Sequence, residues 1–292
     1  MAEDQDPTVP LSDRRKFDRN LIETGNRLAH RVVEPVPFCW FCDRAAGKRS
    51  KEHIFPQWLL KHHGAMDERV HPIRISLPLG GAVASERGQR PLRAHFNGEV
   101  CADCNNGWMS ALEVSAAPIL TQDPRRGEIA AEDAIILARW FAKTAVNLNV
   151  SQPFRLLVDK AARHGLATGI PDGFAVHLFR VREQDGVFDW AQKSPDAATC
   201  PQDRVSSMRR LLELTLVTHI RIADLVAVVV YARKPLRPAD VVTSDGSRIY
   251  PASEVSPEWD ELPLRENYLD LFTIVDGEAV PPADPKGADS GS

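Results

Sequence analysis

Two Cys-x-x-Cys pairs, Cys39/Cys42 and Cys101/Cys104, stand 58 residues apart in a chain of 292 residues. Each pair presents two sulfurs on a tight turn, and four sulfurs brought to one point complete the closed tetrahedral shell that structural zinc takes. The interval is too long for a simple zinc ribbon, so the pairs must staple together segments that enclose a substantial insertion. Cys200, the fifth cysteine, lies in the polar stretch 194–203 with no chelating neighbour and reads as an incidental thiol. Disulfide pairing is the alternative. The acidic, polar start Met1-Ala2-Glu3-Asp4-Gln5-Asp6 carries no signal-peptide pattern. That predicts a reducing, cytoplasmic setting, where paired cysteines more often hold metal.

Within the insertion lies Lys51-Glu52-His53-Ile54-Phe55-Pro56, and the second pair runs directly into Asn105-Asn106-Gly107-Trp108. Neighbouring side chains on a strand point to opposite sides. Glu52 and His53 can therefore face a cation and a water separately only where a strand bends or ends, and Pro56 is consistent with such an ending. A neutral imidazole titrates near working pH and can accept a proton from water. A carboxylate and an amide oxygen suit a hard cation, magnesium or manganese, better than zinc.

Together these motifs resemble the HNH endonucleases over about residues 36–118, with the paired cysteines, the Glu-His-x-x-Pro run, Asn97 and the asparagine after the last cysteine carrying the likeness. The resemblance implies a ββα-metal fold, in which a hairpin and a helix enclose one divalent cation and a zinc knuckle joins the ends. By the same resemblance His53 is the general base, Glu52 binds the catalytic metal and Asn97 pins the loop carrying the histidine. Asn105 takes the place of the final histidine as a metal ligand. His95 competes with Asn97 for its role, and Asn106 with Asn105. Glu113, seven residues beyond Asn106 on the following helix, is either a further ligand or a solvated charge.

The expected fold class is α+β: a zinc-stapled HNH-like domain over 21–120, then a small α+β accessory domain with an antiparallel sheet over 128–280. A mobile leader over 1–20 and a disordered tail over 281–292 flank them. A short amphipathic helix is expected over Lys16 to Val33, and a linker over 121–127. A helix is expected over Ala131 to Asn149, with Ile135, Ile136, Ala138, Trp140 and Leu148 on its apolar face and Arg139 and Lys143 toward solvent. Strands are expected over Phe174 to Val181, Leu214 to Ile222 and Leu225 to Tyr231, with Ala223-Asp224 as a tight turn between the last two. Trp108 reads as core, and His62 and His63 as solvent-facing.

Residues 39–110 hold ten Lys or Arg against seven Asp or Glu, whereas the rest of the chain holds 26 against 33, so basic charge leans toward the candidate site. Arg44, Lys48, Arg49, Lys51, Arg87, Arg90 and Arg93 are candidate phosphate contacts. The net charge of −4 argues against tight nonspecific binding to nucleic acid. No apolar run is long enough for a membrane span. The reading is a metal-dependent endonuclease with DNA as partner in preference to RNA. Restriction, phage defence and mobile elements are settings for such an enzyme, and the accessory domain would choose the target or a protein partner. The alternative is a zinc-stapled binding module without chemistry.

Overall fold

In the computed structural model, residues 39–44, 49–70, 73–76, 83–86, 89–122, 125–150, 158–182, 186–193, 215–234, 237–238, 246–252 and 256–266 are described. The expected leader, the helix over Lys16 to Val33, Lys48, Arg87, Cys200 and the tail lie outside the described residues, as does the side chain of Arg49.

The fold is a mixture of helix and sheet. Strand β1 (Arg49–His53) is followed by helix α1 (Gln57–His62), which starts directly after Pro56 and buries Leu59 and Leu60. Four short strands follow as two antiparallel pairs: β2 (Arg69–Val70) with β5 (Arg90–Pro91), and β3 (Ile73–Ser76) with β4 (Val83–Glu86). Strand β6 (Phe96–Cys101) then returns to pair antiparallel with β1, placing Glu52 opposite Asn97 and His53 opposite Phe96. The chain turns straight into helix: α2 (Ala102–Cys104), a π-helical stretch over Asn105–Met109, and α3 (Ser110–Leu120). Trp108 and Leu112, four residues apart, share one stripe, with Leu112 buried and Trp108 half-buried edge-on to Phe41 at 5.6 Å between ring centroids.

Helix α4 (Ala131–Val150) opens with Glu132 and Asp133 in its first turn, where carboxylates face the positive end of the helix dipole. Short helix α5 (Lys160–Gly165) precedes the main sheet, built from β7 (Phe174–Val181), β8 (Phe188–Lys193), β9 (Thr215–Ile222), β10 (Leu225–Ala232) and β11 (Ser247–Tyr250). The order β11-β7-β10-β9-β8 is antiparallel throughout, and β12 (Leu264–Arg265) adds a parallel pair to β7. Ala223, at φ 53°, and Asp224 make the two-residue turn expected between β9 and β10, whose ladder closes at Ile222 and Leu225. A positive φ at the first turn residue matches the right-handed twist of the strands it joins.

Helix α4 is the shared wall of the molecule: it contacts β7, β9, β10 and β11, and also α3 and β6. From Trp140 to Asn149 every residue is buried, so this helix is enclosed on all sides rather than amphipathic. Two expectations fail for that reason. Lys143 does not face solvent, since its side chain is fully buried, and Arg139 is half-buried with its guanidinium donating to the carbonyls of Leu166 (2.9 Å) and Ala167 (2.6 Å). Conversely Ile135, placed on the apolar face, is 51% exposed, because it stands on the first turns that the sheet does not cover.

Asp159 caps α5, accepting the backbone N–H of Ala162 at 2.9 Å, and receives the Tyr231 hydroxyl at 2.6 Å. Burial raises its carboxyl, but the Tyr231 and backbone hydrogen bonds outweigh that and hold it below the usual value. The capped, charged form is thus present above the unfolded pKa and lost as pH falls through the folded one. Asp159→Ala should cost about 1–2 kcal/mol near neutral pH, and less in acid, as read by urea melts at both pH values.

Candidate functional site

Four sulfurs converge at the junction of the stapled segments. The Sγ atoms of Cys39, Cys42, Cys101 and Cys104 all lie within 4.8 Å of one another, with Cys42 and Cys101 at 3.8 Å. A tetrahedral shell with bonds of about 2.3 Å has sulfur–sulfur edges of about 3.8 Å, so the cluster could hold a metal ion such as zinc. Local structure explains the convergence. The first pair sits on a turn closed by Asp43 N–H to the Cys39 carbonyl (2.8 Å), with Asp43 at φ 52°. The second pair ends β6 and opens α2, where Cys101 Sγ caps the helix by accepting the Cys104 N–H at 3.4 Å. Backbone N–H of Cys101 also points at Cys39 Sγ (3.3 Å).

Protonation shows the same crowding. A hydrogen bond from Cys104 draws the Cys39 thiol down to about 4, against the opposing effect of burial, with the Cys101 and Phe41 backbone assisting. Cys104 is pushed up by that same contact and by burial, and Cys101 by burial first. One thiolate forms readily and opposes the next, an opposition that a bound divalent cation removes.

The knuckle is held from both sides. Trp40 N–H donates to the Glu99 carbonyl on β6 at 2.8 Å. From α5, Arg163 stacks on the Trp40 ring (3.8 Å to the centroid) and donates to the Trp40 carbonyl, while Lys160 pairs with Asp43 at 2.5 Å.

The β1–β6 ladder has two faces with different chemistry. Strand β1 ends at His53, and the register shifts between Ser50 and Glu52: one residue separates Ser50 from Glu52, whereas Gly98 and Glu99 separate Asn97 from Val100. The extra residue is a bulge on β6, and the Asn97 side-chain Oδ1 accepts the Glu99 N–H there at 2.8 Å. The Asn97 amide donates instead to Asn147 on α4 (3.1 Å). Asn97 thus pins the bulge of its own strand, which presents the Glu99 carbonyl to the knuckle; these two bonds do not reach the segment carrying His53.

On the inward face, Glu52 is 4% exposed and accepts from Lys143 Nζ at 2.8 Å. The same ammonium donates to Glu113 on α3 at 3.0 Å, and the Asn147 amide lies 3.5 Å from Glu52. Burial pulls the Lys143 ammonium down, but the two carboxylates outweigh it and hold it above the ordinary lysine value. Two carboxylates therefore share one resident cation, and the Asn147 amide nitrogen faces Glu52 as a second donor. The acceptor set suits a hard divalent ion in its chemistry, but Lys143 already fills it, so Glu52 can take such an ion only by exchange with the ammonium. Asn105 is half-buried, and its side chain makes no hydrogen bond among the described residues.

On the outward face His53 is half-buried, its Nε2 3.3 Å from the Gln57 amide nitrogen at the start of α1. Lys51 and Phe96 are exposed beside it. His95, the rival of Asn97, is lowered by burial and packs edge-on to Trp190 (5.6 Å); it belongs to the core side. Asn106 is exposed. His62 is solvent-facing as expected, whereas His63 is half-buried against Phe188 at 5.6 Å. Among the candidate phosphate contacts, Arg93 pairs with Asp67, and Arg44 stands beside Cys42, whose hydrogen bond raises its guanidinium; Lys51 and Arg90 are exposed.

Sequence reasoning misses Lys143 and Asn147 as site residues. Their signal is the i, i+4 spacing of two polar residues within a stretch of α4 otherwise rich in apolar side chains. Among the described residues no helix is long and apolar enough to cross a membrane. No family model matches the chain, and neither a curated protein nor a solved structure matches it.

Proposed function

We infer that this chain is a metal-dependent endonuclease of the HNH type, hydrolysing phosphodiester bonds in DNA in preference to RNA. The observation that carries the reading is the position of His53: it ends a strand whose partner runs into the four-cysteine cluster and then directly into a helix. In this reading zinc occupies the cysteine cluster as a staple, and His53 takes the proton of the attacking water. Glu52 and Asn105 would hold magnesium or manganese, which supplies charge stabilisation at the phosphate and the leaving oxygen. Lys51 and Arg90 would meet the DNA backbone. The protein works in the cytoplasm, and its main sheet is the surface for target or partner choice.

A second reading, a zinc-stapled binding module without hydrolytic chemistry, is favoured by one observation: the charge of Glu52 is already met by Lys143. Supercoiled plasmid separates the two. In zinc-replete buffer the endonuclease reading expects nicked or linear product with magnesium or manganese and none without. Plasmid retarded on a gel but intact under every cation supports the binding module.

A further inference from the structure

The outward face of the β1–β6 ladder carries a feature that water-splitting does not use. Phe96 is 45% exposed, and among the described residues it is the aromatic member of the exposed large apolar side chains, with Val114, Ile135 and Leu264. It stands directly opposite His53 in the ladder register. Paired residues on antiparallel strands hold their Cβ atoms about 5 Å apart on one face, so the ring and the imidazole share a surface. The ammonium of Lys51 lies 5.3 Å from the Phe96 centroid, and among the described residues it has no carboxylate partner. An exposed phenyl ring on a strand end loses the stabilisation of burial. Here it sits beside the exposed Lys51 ammonium and the half-buried His53.

We propose that Phe96 and Lys51 form a subsite that stacks an unpaired base of a DNA strand beside His53, a proposal that rests on the endonuclease reading. The charge and shape determine the occupant. A flat apolar ring next to an exposed ammonium fits the combination of a base face and its phosphate, because stacking is satisfied by any base and the lysine meets the backbone. Within a duplex both faces of a base are covered by its neighbours. Phe96 can therefore reach only a base that is already unstacked, in a single strand, a gap or a flap. Substrate choice at this site follows from that: strands with unpaired bases bind here in preference to uninterrupted duplex. Gln57, exposed and already touching His53, borders the same surface.

The test is fluorescence anisotropy of a labelled single-stranded oligodeoxynucleotide and of its blunt duplex, with the full chain in zinc-replete, magnesium-free buffer so that nothing is cut. Wild type is expected to bind the single strand more tightly than the duplex. Phe96→Ala should weaken single-strand binding by about ten-fold, the scale of losing one base–aromatic stack, and leave duplex binding nearly unchanged. Phe96→Trp should retain the single-strand affinity. Phe96 is exposed, so zinc content and circular dichroism of the variants should match wild type. Single-strand affinity unchanged in Phe96→Ala overturns the subsite, even if plasmid cleavage stands. Wild type that binds neither oligonucleotide overturns it as well. A Phe96-dependent preference for single strands in a protein that cuts no DNA under any cation supports the subsite and removes the endonuclease reading alone.

Discussion

Stripping metal from the four-cysteine cluster should unfold the stapled region, from the first Cys-x-x-Cys turn to the start of α3. The energy at stake is large because structural zinc contributes about 10–16 kcal/mol of apparent binding free energy to small domains it folds. The segments it joins are also fastened by Arg163 and Lys160 from α5, but their own secondary structure is slight. A two-stranded ladder is marginal in water on its own, and the β1–β6 pair is interrupted by a bulge. Without the cation, the contact that draws Cys39 down pushes Cys104 up, so further thiolates form only against repulsion. Cys104→Ser, at a buried ligand position, should reproduce the effect of the chelator. The expected results are a single zinc per chain by metal analysis, and a thermal transition lost or greatly lowered in both the chelated protein and the variant. Unchanged melting after complete removal of metal would contradict the assignment.

Lys143→Met should be the most damaging substitution outside the cysteines. It leaves Glu52 and Glu113 facing each other in a pocket where Glu52 is 4% exposed. Breaking a buried pair by removing one partner costs about 3–5 kcal/mol, chiefly through the charge left uncompensated. For a chain of this size that is a fall in Tm on the order of 10 °C. Glu52→Gln combined with Lys143→Met should recover much of the loss, since the carboxylate left without its cation is then gone; a double variant no better than the single one would sink this explanation. Lys143 also leaves a signature in pH and in cation response. Because the carboxylates hold the ammonium above its ordinary value of 10.5, its stabilisation is complete below that pH and is lost as pH rises through the folded value. Wild type should therefore lose stability in alkali, and Lys143→Met should lack that component. Magnesium or manganese should also raise the Tm of Lys143→Met more than that of wild type, as a divalent ion enters the vacated position.

What the amino-acid sequence makes legible is local chemistry, because such chemistry is written in adjacent residues. The paired cysteines announce their cluster because a two-residue spacing is itself a chelating turn. Strand β7 begins and ends at Phe174 and Val181 as expected, and the Ala223-Asp224 turn follows from two apolar strands separated by two residues. Helix α4 is legible in extent but not in environment. Lys143 looks like a solvent charge in sequence, and it is buried because β1 and α3 close over it, bringing Glu52 from 91 and Glu113 from 30 residues earlier in the chain. Glu52 is legible as an acid beside a histidine, but the partner holding it stands 91 residues away. The bulge at which the Asn97 side chain accepts the Glu99 N–H depends on the β1–β6 register, which the long insertion between the two strands conceals.

The most direct test of His53 as the base of a metal-dependent nuclease is cleavage of supercoiled plasmid by wild type and by His53→Ala, both shown by zinc content and circular dichroism to be folded. The assay is run in zinc-replete buffer with and without magnesium or manganese. Removal of a general base lowers rate by about 10²–10⁴-fold. The expected result is cation-dependent nicking or linearisation by wild type and a loss of that size in the variant. Cleavage at an undiminished rate by folded His53→Ala would contradict the role given to this histidine.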